Sequence, residues 1–501
     1  MASARATAKR PRSMPKLLGF TLLGAVLPGL GLIVGGRRRI GAFVLTLFLG
    51  LVGAGVCVGL TRRDEVLAAT VVPSRLLATS VVIAALAFGW IVVVVASHRS
   101  LRPATGGAGG RVLGATFVGL LCFAIAAPAA LGVQSVLAQR TLVQDVFQSQ
   151  EESKSATRPS TVNTKDPWED KPRLNLLLLG GDDAPGREGV RTDTVIVASI
   201  DTRTGDTALV SLPRNLTFMP FPKDSPLRKF YPNGFGKEGL SLEGRLEWML
   251  TAMYQNVPDA HPGILGPSDN EGADVLKQSV GEAIGLKLDY YLQVNLQSFP
   301  EIVDALGGIT VNVNERVAMG GVSSSHIPPK EWIEPGPKQH LDGRHALWFA
   351  RGRYGADDDQ RQVRQRCVIK AMVDAADPQT LVTKYKAIAQ AGRHLLRTDI
   401  PQELLPALVE LALKVKSATV SNVTLDSEKL RLKYLHPDYQ ALRDTVENAL
   451  ESPAPPTTVP STPGTPTTTR KPPATTTTAP PGPTQNLADA CAWNPAGDQP
   501  S

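Results

Sequence analysis

Hydrophobic positions fall into three regimes along the chain. Up to about residue 138 they form long, nearly unbroken runs. From 173 to 450 they come in short blocks whose spacing alternates between strand-like and helix-like. Beyond 451 they thin out among prolines and threonines. The runs 40–60, 76–96 and 112–133 each have the length and apolarity to cross a bilayer as a helix, which takes about twenty residues. A fourth run, 17–35, is shorter and carries Pro28 beside Gly29 and Gly31.

Basic clusters set the expected topology. Lys9, Arg10, Arg12 and Lys16 precede the fourth run, and Arg37, Arg38 and Arg39 follow it. His98, Arg99, Arg102 and Arg111 crowd the loop 97–111. Such clusters favour the cytoplasmic side. If 17–35 is a re-entrant or interfacial hairpin, all of them lie inside and everything after residue 138 lies outside. If it is a full span, either the N-terminus is outside or the main domain is inside. The expectation is a basic cytoplasmic N-terminus (1–16) and a multi-pass membrane region (17–138). A stalk and linker (139–172) then lead to an extracytoplasmic globular domain (173–450) and an extended Pro/Thr-rich tail (451–501).

Within the globular stretch, Leu174–Leu179 is a continuous apolar run of strand length, followed by Gly180, Gly181, Asp182 and Asp183. Further strands are expected over Thr194–Ile200, Thr207–Leu212, Tyr290–Asn295 and Ile309–Val313, and helices over Ala273–Ile284 and Phe299–Leu306. Apolar strands alternating with helices predict an α/β domain whose sheet is covered on both faces.

Charge and cysteines change this picture only modestly. The net charge is +7, but much of the excess flanks the apolar runs. No zinc-finger spacing occurs and no basic helix lies away from the membrane flanks, which argues against nucleic acid as a partner. Of the four cysteines, Cys57 and Cys122 lie in apolar runs, as packing residues do. Cys367 and Cys491 would both be exported, and they are open to two readings, a disulfide or two free thiols.

Asp182 and Asp193 sit at neighbouring strand ends. Two carboxylates there suit either a hard cation shared with substrate phosphates or the capping of turns. Arg351, Arg353, Asp358, Arg361, Arg364 and Gln365 form the densest polar cluster. Arg361, Arg364 and Gln365 share one helical face. Arginine binds phosphate oxygens through paired donors, so the cluster reads either as an anion site or as a solvated basic face. The chain contains no P-loop, no Gly-x-Ser-x-Gly and no His-Glu-x-x-His.

Three blocks resemble, in order, the LytR-CpsA-Psr family in its actinobacterial form. They are LNLLLLGGDDAPGREGVRTDTVIVASIDTRTGDTALVSLPRNL (174–216), VGEAIGLKLDYYLQVNLQSFPEIVDALGGITVNV (280–313) and LDGRHALWFARGRYGADDDQRQVRQR (341–366). The resemblance implies an α-β-α sandwich with a slot for a polyprenyl chain. It implies transfer of a glycopolymer from a polyprenyl-diphosphate carrier to peptidoglycan, with Mg²⁺ at the diphosphate. Asp182 and Asp193 would hold the metal. Arg214, Arg351, Arg353, Arg361 and Arg364, with Gln365, would hold the diphosphate, and Arg191 would organise the pocket. Arg214, Arg361, Arg364 and Asp193 would carry the chemistry. Two departures, Ala184 where the family often has Arg and Asn215 where it often has Asp, leave the general base open. They also keep two rival expectations: a lipid-diphosphate binder without turnover, and a pyrophosphatase releasing the polymer to water.

Overall fold

The computed structural model describes residues 14–102, 108–160, 163, 166–182, 191–295, 299–321, 327–355, 358–376, 396–426, 428–432, 436–451 and 484–494. Two units divide the chain, Met1–Val143 and Gln144–Ser501.

The first unit holds α1 (Met14–Val26), α2 (Leu30–Val34), α3 (Arg38–Thr61), α4 (Arg63–Ala69), α5 (Pro73–Leu101) and most of α6 (Ala108–Val146). Among the described residues, α3, α5 and α6 are the helices long and apolar enough to cross a membrane. The run 17–35 is broken into α1 and α2, each too short to span. The break falls at Gly29, whose φ of 104° is left-handed and whose missing Cβ would lie 2.3 Å from the Gly41 carbonyl oxygen. Only glycine satisfies both demands. The Trp90 indole on α5 donates to the Ala25 carbonyl at 2.8 Å, fastening α1 to the longer helix.

The second unit is built on β1 (Arg173–Asp182), β2 (Arg191–Asp201) and β3 (Thr207–Leu212), followed by α7 (Leu242–Arg245), α8 (Leu250–Ala260) and α9 (Glu271–Ile284). Next come β4 (Tyr290–Asn295), α10 (Phe299–Leu306), β5 (Ile309–Val313), β6 (Val317–Met319), β7 (Glu331–Ile333) and β8 (Gly336–Leu341). Then follow α11 (Gly343–Arg351), α12 (Asp358–Ala375), β9 (Leu396–Thr398), α13 (Leu405–Ser417), β10 (Val420–Val423), α14 (Tyr439–Glu451), β11 (Thr484–Asn486) and α15 (Leu487–Ala490). Among the described residues the main sheet has seven strands, in the order β11-β10-β3-β2-β1-β4-β9. Strands β1 to β3 form an antiparallel meander, and β4 and β10 add to it in parallel on either side.

Alternation along these strands makes two faces. Leu177, Leu179, Val195, Val197 and Val210 join one core with residues of α8, α9 and α14. Several of these side chains are fully buried, and truncating such a leucine to alanine costs about 2–5 kcal/mol. Leu176, Leu178, Ile196, Ala198 and Leu209 turn to the other face, where α12 supplies Ile369. The result is an α/β sandwich with helices on both faces of a mixed sheet, but the second face is less completely filled, and a cavity opens there. A satellite core beneath α10, α11 and α12 gathers Val303, Ile309, Val313, Phe349 and Val368.

Two stretches behave differently from their composition. In the expected linker, Ser155 Oγ and Ala156 N donate to Asp274 at 2.8 and 3.0 Å, and Lys154 N donates to Asp269 at 2.7 Å. The buried Asp274 carboxylate needs donors, and this polar segment provides them. In the expected tail, residues 484–491 fold onto the domain. β11 extends the sheet edge, Leu487 is buried, and Cys491 forms a disulfide with Cys367 on α12. The Pro/Thr-rich composition ends where this packed segment begins.

Candidate functional site: an apolar cavity lined by arginines

The cavity has a volume of about 630 Å³. Much of its lining is apolar: Leu178 from β1, Ile196 from β2, Leu292 and Val294 from β4, and Ile369 and Met372 from α12. Its polar lining comprises Asp193, Thr194, Arg214, Arg351, Arg353, Arg361 and Gln365.

Local structure explains how these residues meet. The β1–β2 ladder pairs Gly180 with Thr194 and Gly181 with Thr192, so Asp193 is the extra residue of a bulge. Such a bulge re-aims a side chain at the end of a strand pair. Arg214 follows Pro213 at the end of β3, and its guanidinium pairs with the Asp193 carboxylate. On the helical side, α11 starts at Asp342, whose carboxylate accepts from the His345 backbone N–H at 2.8 Å as an N-cap. His345 Nδ1 lies 2.7 Å from the same oxygen, and the carboxyl is held below the usual aspartate range chiefly by the backbone hydrogen bond. The helix ends at Arg351, whose guanidinium carbon is 5.8 Å from the Trp348 ring centre, a cation–π distance.

Not every expected residue lines the cavity. Arg364 turns to the end of α11: its Nε donates to the Phe349 carbonyl at 2.8 Å, and its terminal nitrogen donates to the Gly352 carbonyl. Basic side chains commonly satisfy the last carbonyls of a helix this way. Arg364 therefore holds the Arg351–Arg353 turn against α12. Arg191 pairs with Glu247 at 2.5 Å, outside the cavity wall. The Glu247 carboxyl is held below its ordinary range by the Asn256 side chain and by Arg191. Asp182 is placed by its backbone opposite Arg191 in the ladder. Ala184 lies outside the described residues, and Asn215 is exposed.

Sequence reasoning passed over Trp348, Gly320 and Gly321 as cavity residues. Both glycines have left-handed φ, 89° and 81°. The Gly-Gly pair was a visible turn signal, but nothing in the spacing tied it to α11. Trp348 sits in an amphipathic helix, where an aromatic reads as core.

An apolar cavity whose lining includes four arginines has the chemistry to hold an amphiphile with an anionic head. The chain belongs to the LytR_cpsA_psr family, whose profile matches residues 137–451. A relative from Oceanobacillus iheyensis, named polyisoprenyl-teichoic acid–peptidoglycan teichoic acid transferase TagU, is 29% identical over 246 residues. That alignment is 48% of this chain and 63% of that protein, just under two thirds of its length. The Bacillus subtilis protein of the same name is 25% identical over 260 residues, 52% of this chain and 68% of that one. Among solved structures, B. subtilis TagU overlaps 58% of this chain and 100% of its own, at 21% identity and a TM-score of 0.35.

Proposed function

We propose that this protein is a membrane-anchored phosphotransferase that moves a glycopolymer from a polyprenyl-diphosphate carrier to peptidoglycan outside the cell. The observation that carries the proposal is the joining of Arg214, Arg351, Arg353, Arg361 and Gln365 to one apolar cavity. The cavity suits the isoprenoid tail, and the guanidinium groups suit the two phosphates. The named activity of the TagU relatives supports this reading. The three apolar helices supply a multi-pass anchor, with the bilayer as the source of the lipid.

Transfer of this kind relies on positioning and charge stabilisation. Arg361 is buried, so its charge acts in a region of low dielectric, where it is strongest. Arg214 is oriented by Asp193, and Arg351 is steadied by the Trp348 ring. These cations stabilise the charge that develops on the leaving lipid phosphate while a wall-sugar hydroxyl attacks. Magnesium is bound through one or two carboxylates with substrate phosphates completing its shell. The partly exposed Asp193 carboxylate beside the arginines fits that demand, with Asp182 at the neighbouring strand end. Bound there, Mg²⁺ would neutralise diphosphate oxygens. The assay is transfer from a synthetic polyprenyl-diphosphate oligosaccharide to peptidoglycan by the full chain in detergent. Arg361→Ala should lower turnover about 100-fold or more, the scale of losing one preorganised charge-stabilising donor. Near-wild-type turnover in that variant, or free sugar phosphate as the sole product, would overturn the proposal.

A further inference from the structure

We propose that the C-terminal segment Thr484–Cys491 is the end wall of the lipid channel and sets the length of isoprenoid chain the protein accepts. The inference rests on the carrier reading above and concerns its selectivity. A second cavity of about 370 Å³ shares Leu178, Ile369 and Val373 with the first as a common wall. It continues along the same face of the sheet, past Leu176, Ala198 and Leu209. Two residues of the C-terminal segment, Asn486 and Ala488, line it. Leu487 between them is fully buried and packs with Ile196, Ala198 and Leu209, plugging the space between sheet and helix.

The wall is fastened along its whole length. β11 pairs with β10 through Ser421–Asn486, Asn422–Gln485 and Val423–Thr484. Cys491 is tied covalently to Cys367 on α12, the helix that carries Arg361 and Gln365. The Asn312 side chain donates to the Cys491 carbonyl at 2.9 Å, and that of Asn314 donates to the Ala492 carbonyl at 3.0 Å. A segment held by a sheet edge, a disulfide and side-chain amides is a fixed stop. A short isoprenoid fits the first cavity alone. In this proposal a long one passes Ile369 and Val373 into the second, where Ala488 lies.

Binding of farnesyl phosphate and undecaprenyl phosphate to the full chain in detergent, read by native mass spectrometry, tests this. Ala488 is exposed to the cavity, so Ala488→Trp fills the far chamber without displacing core atoms. It should weaken undecaprenyl phosphate binding about tenfold or more, the worth of two or so buried methylenes, and leave farnesyl phosphate unchanged. Leu487→Ala opens the same end and should shift the preference toward the longer lipid, which keeps the test decisive should the tryptophan variant not fold. Wild-type binding of both lipids with an unchanged ratio in both variants would overturn the end wall alone. Binding of neither lipid by the wild type would overturn the carrier reading and this inference together.

Discussion

Replacing Lys277 with methionine should unfold the second unit at a distinctly lower temperature. Lys277 Nζ lies 2.7 Å from Asp399 Oδ2, with the two side chains 1% and 2% exposed. The ammonium also donates to the Asp289 carbonyl at 2.8 Å. Asp399 accepts further from Tyr291 N at 2.8 Å and Ser155 Oγ at 3.0 Å, so the pair joins α9, β4, the end of β9 and the segment after α6. Burial pushes the lysine down from its ordinary value, and the neighbouring carboxylates push it back up, Asp399 most strongly. Methionine fills the volume but leaves a buried carboxylate without its counter-charge. Breaking such a pair costs about 3–5 kcal/mol. For a unit of this size, that corresponds to a fall in melting temperature of roughly 5–10 °C. The double variant Lys277→Met, Asp399→Asn removes the stranded charge while keeping an acceptor for Tyr291 N. It should regain at least half of the loss. Intrinsic tryptophan fluorescence of the full chain during heating measures both. A single variant that melts with the wild type, or a double variant no more stable than the single, would refute the reasoning.

Arg364→Ala should lower both stability and transfer, since it frees the end of α11; a variant that melts with the wild type would contradict its supporting role. Gly343→Ala should cost roughly 1–3 kcal/mol in thermal unfolding, because the new Cβ would sit 2.1 Å from the Pro300 carbonyl oxygen and drive α11 from α10. The Glu247–Arg191 contact should contribute stability above the usual glutamate range and lose it as pH falls through the depressed folded value. With both side chains about half exposed, the effect is at most about 1 kcal/mol. Glu247→Gln should flatten that part of the wild-type stability–pH curve, and an unaltered slope would count against it.

The strands Leu174–Leu179, Thr194–Ile200 and Thr207–Leu212 were legible because alternation and continuous apolarity are local properties. So were the three long apolar helices, the break at Gly29, and the arginines of α11 and α12 as a cluster. Their residue types and spacing carry that information without knowledge of neighbours. Three things required the fold. The pairing of Arg214 with Asp193 depends on a bulge that no propensity specifies. Arg361 and Arg364 are three residues apart on one helix, yet one lines the cavity and the other clamps a helix end. Which does which is decided by where α11 ends against α12. The roles of Ser155 and Leu487 were likewise invisible locally, because a polar linker and a tail gain structure only from distant carboxylates and an uncovered sheet face. Periodicities and the chemical inventory can be read from the residues alone. Tertiary structure alone decided which groups meet, because contacts between distant residues depend on packing that short windows of sequence do not encode.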